Sequence, residues 1–226
     1  MPATTTYLAY DLGASSGRSV IGLFDGNRIT LQETHRFPNS GVAVGENLYW
    51  DILSLFDHMC QGLRKTVSEH GPDLMGIGVD TWGVDYGLLD AADELLGNPR
   101  CYRDPRTQGL MDVAFETVPR EEIFEQTGIQ FMELNTLYQL LSMARQQAPQ
   151  LQMAKTFLTM PDLFNFWFTG QKVCEFSNAT TTQFFNPRQQ TWALDLLHRL
   201  NIPTDMLPEI VPPGTVLGPL RTSLAE

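Results

Sequence analysis

One helical segment, residues 51–70, constrains the fold of this chain more than any other feature. Its apolar side chains recur at offsets of 3, 4, 7, 8, 11 and 15 residues and so share one helix face: Ile52, Leu55, Phe56, Met59, Cys60, Leu63 and Val67. Asp51 is expected to cap this helix, and Gly71 with Pro72 to end it. Because burial of a large apolar side chain contributes about 1.5–3 kcal/mol, we expect this helix to support a core.

Short strand-like segments precede and follow this helix. They are residues 7–11, 19–24, 29–37, 75–80 and 84–90. Asp25-Gly26-Asn27 predicts a hairpin turn between the second and third of them. Three antiparallel strands, a helix and a further strand predict a mixed sheet. We expect the segment at 75–80 to be a buried strand of it.

The second half of the chain predicts mainly helices. Helices are expected over residues 137–148 and 160–169. The aromatic side chains expected in the core of the second are Phe164, Trp167 and Phe168. Residues 203–219 contain five prolines and predict an extended connector. We therefore expect one domain over residues 1–218 and, over 219–226, the start of a connection to a further domain.

Charge limits the classes of partner. Fifteen Lys and Arg stand against 26 Asp and Glu, for a net charge of −11 at pH 7. This excess repels nucleic acid and anionic membrane surfaces, so neither is expected as a partner. A small anion such as ATP is still possible, because its site needs only local amides and one or two cations. Three arginines, Arg100, Arg103 and Arg106, do fall within seven residues.

The N-terminus and the cysteines bear on the cellular compartment. The N-terminal segment has no basic region and no long apolar run, so a cytoplasmic location is expected. The three cysteines match no zinc-binding spacing, and Cys60 is expected to be a buried thiol.

The first chemistry-bearing motif, which we call the phosphate turn, joins two predicted strands. It is Asp11-Leu12-Gly13-Ala14-Ser15-Ser16-Gly17-Arg18. Small residues let the backbone approach a phosphate, successive amides and two hydroxyls can donate, and Arg18 adds positive charge. Asp11 can hold Mg²⁺ through water. The octet equally fits a glycine-rich hairpin whose aspartate caps the turn, and it is neither a P-loop nor a dinucleotide fingerprint.

The second motif, Gly76 to Asp85, contains Thr81-Trp82-Gly83, which we call the sugar corner. An indole packs on the C–H faces of a sugar while nearby backbone groups reach its hydroxyls. A tight turn with Trp82 in the core explains the same residues.

Four further segments have ordinary explanations when each is taken alone. They are Tyr102-Arg103-Asp104-Pro105-Arg106-Thr107, Phe131 with Asn135-Thr136-Leu137-Tyr138-Gln139-Leu140, Met160-Pro161-Asp162, and Ser177 to Gln183. The arginines fit surface charge paired with Asp104, and Asp162 fits an acid at a helix N-terminus.

Taken in order, these motifs resemble the FGGY carbohydrate kinases of the actin-like, RNase H-like ATPase superfamily, and most of all the rhamnulokinases. The resemblance extends from Asp11 to about Gly218. It implies an α/β fold: an actin-like N-terminal domain with a mixed sheet flanked by helices. One departure is the sequence Leu-Tyr-Gln at 137–139, where many relatives carry Lys-x-Trp. This difference weakens any inference from glycerol and xylulose kinases to this chain.

The resemblance also implies a reaction, in which the γ-phosphoryl group of MgATP passes to a sugar hydroxyl, here of L-rhamnulose or a similar ketose. It implies that the following residues contact the ATP phosphates: Ala14, Ser15, Ser16, Gly17 and Arg18. Asp11 would assist Mg²⁺. Gly83, Trp82 and Thr81 would face the sugar, with Arg103 and Phe131 as weaker candidates.

The general base of that reaction is expected outside this chain. Rhamnulokinases carry it in a His-Asp-Thr segment, and none of the four histidines here precedes an aspartate. The sequence also lacks a Gly-Gly dipeptide, although the family's adenosine site is glycine-rich. We therefore expect a C-terminal kinase domain as partner and an inactive chain without it. Two alternatives remain: a non-catalytic sugar-binding or regulatory module, and an actin-like filament protein.

Overall fold

The computed structural model describes residues 4–225, and the chain divides into two units. Unit 1 comprises the described residues up to Val42, Asp51–Trp82 and the C-terminal segment from Thr222. Unit 2 comprises Ala43–Trp50 and Gly83–Arg221. The predicted boundary near residue 218 stays a prediction.

The elements are as follows in chain order. The strands are β1 Thr5–Leu12, β2 Ser16–Phe24, β3 Ile29–Pro38, β4 Gly41–Val44, β5 Asn47–Trp50, β6 Leu74–Thr81, β7 Tyr86–Leu89, β8 Thr156–Thr159, β9 Val173–Glu175, β10 Phe185–Asn186, β11 Thr191–Trp192 and β12 Glu209–Val211. The helices are α1 Ile52–His70, α2 Leu110–Thr117, α3 Arg120–Thr127, α4 Thr136–Arg145, α5 Pro149–Met153, α6 Met160–Thr169, α7 Phe176–Thr180, α8 Leu194–Arg199 and α9 Thr222–Ala225, with a 3₁₀ turn at Pro105–Thr107.

Unit 1 is built on a four-stranded sheet in the order β3-β2-β1-β6. The first three strands pair antiparallel and β6 pairs parallel with β1, which confirms the predicted mixed sheet. The expectation that residues 75–80 are a buried strand was wrong. Since β6 is an edge strand with β1 as its neighbour in the sheet, its side chains are exposed or half-buried, and Met75 is 66% exposed.

Helix α1 packs on this sheet as its periodicity predicts. The Asp51 carboxylate accepts from the N–H of Ser54 at 3.2 Å, and the chain leaves the helix at Gly71 with φ 87°. Five of the seven predicted face residues are buried: Ile52, Leu55, Met59, Cys60 and Leu63. Gly62 was not predicted on this face, yet a Cβ there would lie 2.0 Å from Ser19 Oγ, so glycine is what lets the helix approach the sheet.

Unit 2 contains a hydrophobic core formed by helices α2 to α5, α7 and α8 with small two-stranded sheets. Strand β7 is shorter than predicted and pairs antiparallel with β8 rather than joining the sheet of unit 1. Helix α4 ends three residues earlier than expected, since Gln147 has φ 50° and Pro149 begins α5. Helix α6 has its predicted bounds, and it buries Phe164 and Phe168 but leaves Trp167 half-buried.

The proline-rich tail is extended, as predicted, but part of it also packs against the rest of unit 2. Strand β12 pairs parallel with β9, and the Met206 carbonyl accepts from the N–H of Phe157 at 2.8 Å. None of the helices in residues 4–225 has both the length and the hydrophobicity that crossing a membrane requires.

Candidate functional site

The phosphate turn connects β1 to β2 in unit 1. Hydrogen bonds that its own carbonyl oxygens accept hold it in place. The N–H of Gly13 donates to Ser16 O at 2.9 Å. Asn39 donates twice, from its N–H to Ser15 O at 3.1 Å and from Nδ2 to Gly13 O at 2.7 Å. Within residues 4–225 the N–H groups of Ala14 and Ser15 have no acceptor. These adjacent donors are free to bind a phosphate.

The two glycines of the turn differ in the space around them. A Cβ at Gly17 would lie 2.3 Å from Cε2 of the buried Phe37 ring. A Cβ at Gly13 would lie 3.5 Å from Ser16 O, which is an ordinary contact. Neither glycine has a positive φ. Gly17 therefore provides space for packing rather than a special backbone conformation.

Asp11 and Arg18 face each other across the β1–β2 ladder. Arg18 Nε donates to Asp11 Oδ2 at 2.7 Å, and Nη2 makes a second contact with the same oxygen. Both side chains are 43% exposed. A carboxylate, hydroxyls, free N–H groups and a guanidinium fit the chemistry of MgATP. However, to bind MgATP, Asp11 and Arg18 would each have to give up part of the ion pair between them.

The phosphate turn and the sugar corner leave the sheet at one edge. Because β1 and β6 are adjacent and parallel, Asp11 lies opposite Asp80, and Leu12 lies opposite Thr81. Ligands of sheets with parallel strands bind outside the carboxyl ends of those strands. The sheet of unit 1 thus brings the start of the predicted phosphate site next to the first residue of the predicted sugar site.

The sugar corner contains the junction of the two units. Thr81 and Trp82 end the middle segment of unit 1, and Gly83 begins the long segment of unit 2. Thr81 Oγ1 donates to Trp82 O at 2.9 Å, and Trp82 is half-buried. A Cβ at Gly83 would lie 3.1 Å from Oγ1 and Cγ2 of Thr181, so even one methyl group there presses on that side chain.

The residue after the corner has a strained backbone. Val84 has φ 69°, which is unfavourable for a β-branched residue. Hydrogen bonds hold it on both sides: its N–H donates to Thr181 Oγ1 at 3.2 Å, and its carbonyl accepts from Thr136 Oγ1 at 2.6 Å and from Gln139 Nε2 at 3.2 Å. These bonds offset a strain that costs about 1–3 kcal/mol.

A buried polar network supports this strained residue. Asp85, which is 1% exposed, accepts from Trp50 Nε1 at 2.6 Å, from the N–H of Tyr102 at 3.1 Å and from Gln139 Nε2 at 2.9 Å. The Gln139 oxygen accepts in turn from Arg106 Nη2 at 2.6 Å. Sequence reasoning assigned no role to Asp85 or Gln139. The available signal was the polar stripe Asn135, Thr136 and Gln139 at helical spacing within an apolar segment.

The two weaker sugar candidates lie in different surroundings. Arg103 is exposed, with its guanidinium 5.1 Å from the centre of the Tyr102 ring, and the bond from Tyr102 to Asp85 links this segment to the corner network. Phe131 packs edge-to-face on Phe115 at 5.4 Å and lines a separate cavity of about 650 Å³. A hydrogen bond thus connects the Arg103 segment to the network under Val84, whereas the described ring contacts of Phe131 are with Phe115, Phe124 and Arg120.

Asp162 is an acid in the first turn of α6, as predicted. Its side chain is buried, and it accepts from the Thr159 hydroxyl and from the N–H of Glu175. Burial raises the pKa of Asp162 to about 6, and the hydrogen bonds oppose only part of that rise.

The sequence profile of the FGGY family of carbohydrate kinases, N-terminal domain, matches residues 6–226. The chain belongs to this family. Among curated FGGY relatives, it is 39% identical over 219 residues to a rhamnulokinase of Oceanobacillus iheyensis and 41% identical over 219 residues to one of Halalkalibacterium halodurans. These alignments cover 97% of this chain and 46% of each relative. The chain thus spans about half the length of the curated relatives it matches.

Solved FGGY kinase structures share the fold. A gluconate kinase from Lactobacillus acidophilus superposes with a TM-score of 0.87, at 19% identity, over 98% of this chain and 45% of its own. A glycerol kinase from Plasmodium falciparum with ADP superposes with a TM-score of 0.84, at 14% identity, over 100% and 46%. At such identities the likeness shows the fold alone, and it confirms the predicted actin-like architecture.

Proposed function

We propose that this chain is the N-terminal part of an ATP-dependent sugar kinase of the rhamnulokinase type. The reaction transfers the γ-phosphoryl group of MgATP to a hydroxyl of a ketose, with L-rhamnulose as the preferred substrate. One observation supports this most directly: the phosphate turn and the sugar corner begin at neighbouring positions on the carboxyl edge of β1 and β6. A kinase needs its two substrates held side by side in this way.

In this proposal the phosphate turn binds the nucleotide. The N–H groups of Ala14 and Ser15, the Ser16 hydroxyl and the Arg18 guanidinium donate to phosphate oxygens, and Gly17 keeps the strand close to Phe37. Asp11 would hold Mg²⁺ through water. Bound MgATP supplies the transferable phosphoryl group and the charge of the metal.

The sugar corner binds the ketose. Trp82 presents an apolar face to sugar C–H groups, and the missing side chain of Gly83 leaves room for the ligand. Thr81 offers a hydroxyl, while Arg103 and Phe131 lie further along the chain as weaker contacts. The network under Val84 keeps the corner rigid, so that the substrate hydroxyl is oriented before the reaction.

The general base is proposed to come from a C-terminal domain, because Asp80 and Asp85 do not suit the task. Asp85 is fully engaged in the buried network, and Asp80 pairs in register with Asp11 on the sheet. A base contributes a factor of about 10²–10⁴ to a proton transfer.

A chimera tests the proposed function. This chain replaces the 219 matched residues of the Oceanobacillus rhamnulokinase, and ADP release is measured with L-rhamnulose, L-fuculose and D-xylulose. We expect turnover that depends on a ketose and is highest with L-rhamnulose, and none from the chain alone. Turnover by the chain alone that Asp80→Asn or Asp85→Asn abolishes would refute the need for a second domain.

The Gly83→Val chimera tests the sugar corner. We expect catalytic efficiency for the ketose to fall at least about tenfold, with a stability loss of about 1–2 kcal/mol as Thr181 shifts. Gly78→Val is the matched control, because a Cβ there meets no atom within 4 Å. Equal losses of binding and thermal stability would instead make Gly83 a packing residue.

A further inference from the structure

A cavity of about 470 Å³ lies within unit 2, apart from every residue proposed to bind nucleotide or sugar. Its walls come from β5, β7, the segment before the 3₁₀ turn, and the connection from α4 to α5. The volume is in the range of pockets that hold a small metabolite.

The charged groups that line this cavity are both cationic. They are Arg100 and Arg106, two of the three clustered arginines, and no Asp or Glu is among its described lining residues. The remaining polar lining includes the side-chain amides of Asn98, Gln146 and Gln150. The charge of this lining is opposite in sign to the net charge of −11 of the whole chain.

Each guanidinium is anchored and still has donors to offer. Arg100 uses Nη1 for both of its hydrogen bonds, to Asn47 Oδ1 at 2.5 Å and to Asp104 Oδ2 at 3.0 Å, and it lies 4.7 Å from the centre of the Tyr49 ring. Arg106 donates from Nη2 to Gln139, while its buried Nε has no hydrogen-bond partner in residues 4–225. Guanidinium donors held in fixed positions suit the planar oxygens of phosphate and carboxylate groups.

Two buried carboxylates lie near these arginines without lining the cavity. Asp104 is 4% exposed and also accepts from the N–H groups of Leu48 and Arg106. Asp85 is engaged by Trp50, Tyr102 and Gln139. They make the burial of the two guanidinium groups less costly and compensate part of their charge, but no carboxylate lines the cavity beside the guanidinium donors.

We propose that this cavity binds a small oxyanion, a phosphate or carboxylate group carried on a polyhydroxylated body. Arg100 and Arg106 bind the oxyanion, and the amides of Asn98, Gln146 and Gln150 bind hydroxyls. Since none of the proposed substrate-binding residues lines the cavity, its ligand is distinct from the proposed nucleotide and sugar. Only Arg106 is shared with the corner network, through its hydrogen bond to Gln139.

Calorimetry on this chain at low ionic strength tests the site, with inorganic phosphate, glucose 6-phosphate and citrate as probes and glucose as the uncharged control. We expect saturable binding of at least one anion with a Kd below about 5 mM, and none of glucose. Preference for glucose 6-phosphate assigns a phosphate ester, and preference for citrate assigns a carboxylate.

A matched pair of variants locates the binding. Gln150 and Gln152 are both exposed on α5, but only Gln150 lines the cavity. Gln150→Glu is expected to weaken anion binding at least about fivefold through charge repulsion, and Gln152→Glu less than about twofold. Arg100→Gln should weaken it at least about tenfold, and Arg18→Gln should leave it intact. Absence of saturable binding, equal effects of the two glutamine variants, or loss only in Arg18→Gln would overturn the proposal.

Discussion

Among single residues, the two glycines of the phosphate turn differ in whether the structure requires them. Gly17 and Gly13 belong to the same short motif, but only Gly17 faces the edge of a buried ring. Phe37 cannot move aside easily, since it is 2% exposed and stacks on His58 with ring centres 4.9 Å apart. The requirement for glycine at position 17 is therefore one of packing.

Gly17→Ala is expected to destabilise the chain by about 1–3 kcal/mol, because the new methyl group overlaps the Phe37 ring. Gly13→Ala is the matched control and should change the free energy of unfolding by less than about 0.5 kcal/mol. Denaturant unfolding of the two variants measures the difference. Similar effects at both positions would show that the turn itself, not the contact with Phe37, limits the substitutions.

Gln139 is the residue on which the corner network depends most. Its nitrogen donates to Asp85 Oδ1 and to the carbonyls of Val84 and Leu134, and its oxygen accepts from Arg106. An amide is suited to this position because one end donates and the other accepts. A carboxylate at the same position would face three acceptors.

Gln139→Glu is expected to cost about 3 kcal/mol or more at pH 7, since it places a second buried carboxylate beside Asp85. The loss should shrink as the pH falls towards 4, because a protonated carboxyl can donate again. Thermal unfolding between pH 4 and 8 provides the measurement, with the exposed Gln152→Glu as control. A loss that does not depend on pH would point to shape rather than charge as its cause.

At the scale of elements, helix α6 starts with a buried acid whose ionisation opposes folding. The first turn of a helix favours negative charge, but burial of Asp162 outweighs that effect and raises its pKa from the ordinary 3.8 to about 6. The folded chain then holds a proton that the unfolded chain releases. The protonated Asp162 carboxyl thus contributes to the free energy of unfolding. This contribution is complete below about pH 3.8 and is lost as the pH rises through about 6.

Asp162→Asn should therefore gain stability relative to the wild type as the pH rises from 4 to 7, by about 2 kcal/mol over that window. Asparagine keeps an acceptor for the N–H of Glu175 and carries no charge to bury. Denaturant unfolding of both proteins across this window tests the trend. Asp112→Asn, in the first turn of α2, is the control for removing one exposed acid. The same trend in both variants would contradict a role for burial.

At the scale of the whole molecule, the chain aligns with about 46% of the length of its rhamnulokinase relatives. The phosphate turn lies in this portion, while its sequence contains no glycine-rich segment suited to an adenosine site. Under the proposed function, phosphate contacts alone would give an exposed and incomplete nucleotide site. We expect such an incomplete site to have a low affinity for MgATP.

The chain alone is expected to bind MgATP with a Kd weaker than about 10 μM, which corresponds to about −7 kcal/mol. Calorimetry measures it directly, with Arg18→Gln as the variant that should weaken it further and Arg28→Gln, at an exposed position outside the turn, as control. Binding tighter than this limit would mean that the chain carries an adenosine site that its sequence does not reveal.

Local patterns in the sequence determined a large part of this protein. The periodicity of α1, the capping by Asp51 and the antiparallel pairing of β1, β2 and β3 follow from residues that are close together along the chain. The family follows from several short motifs spread along it. Helical spacing and turn composition act over fewer than about twenty residues, so they are visible before folding.

Only the tertiary structure decided which distant residues meet. Nothing near Val84 in the sequence announces its positive φ, since the groups that impose it belong to Thr136, Gln139 and Thr181. In the same way, Arg100 and Arg106 become the wall of one cavity only because strands and helices from other parts of the chain enclose it. Buried polar groups must find partners wherever the fold brings them, and the cost of leaving them unpaired selects arrangements that sequence periodicity does not show.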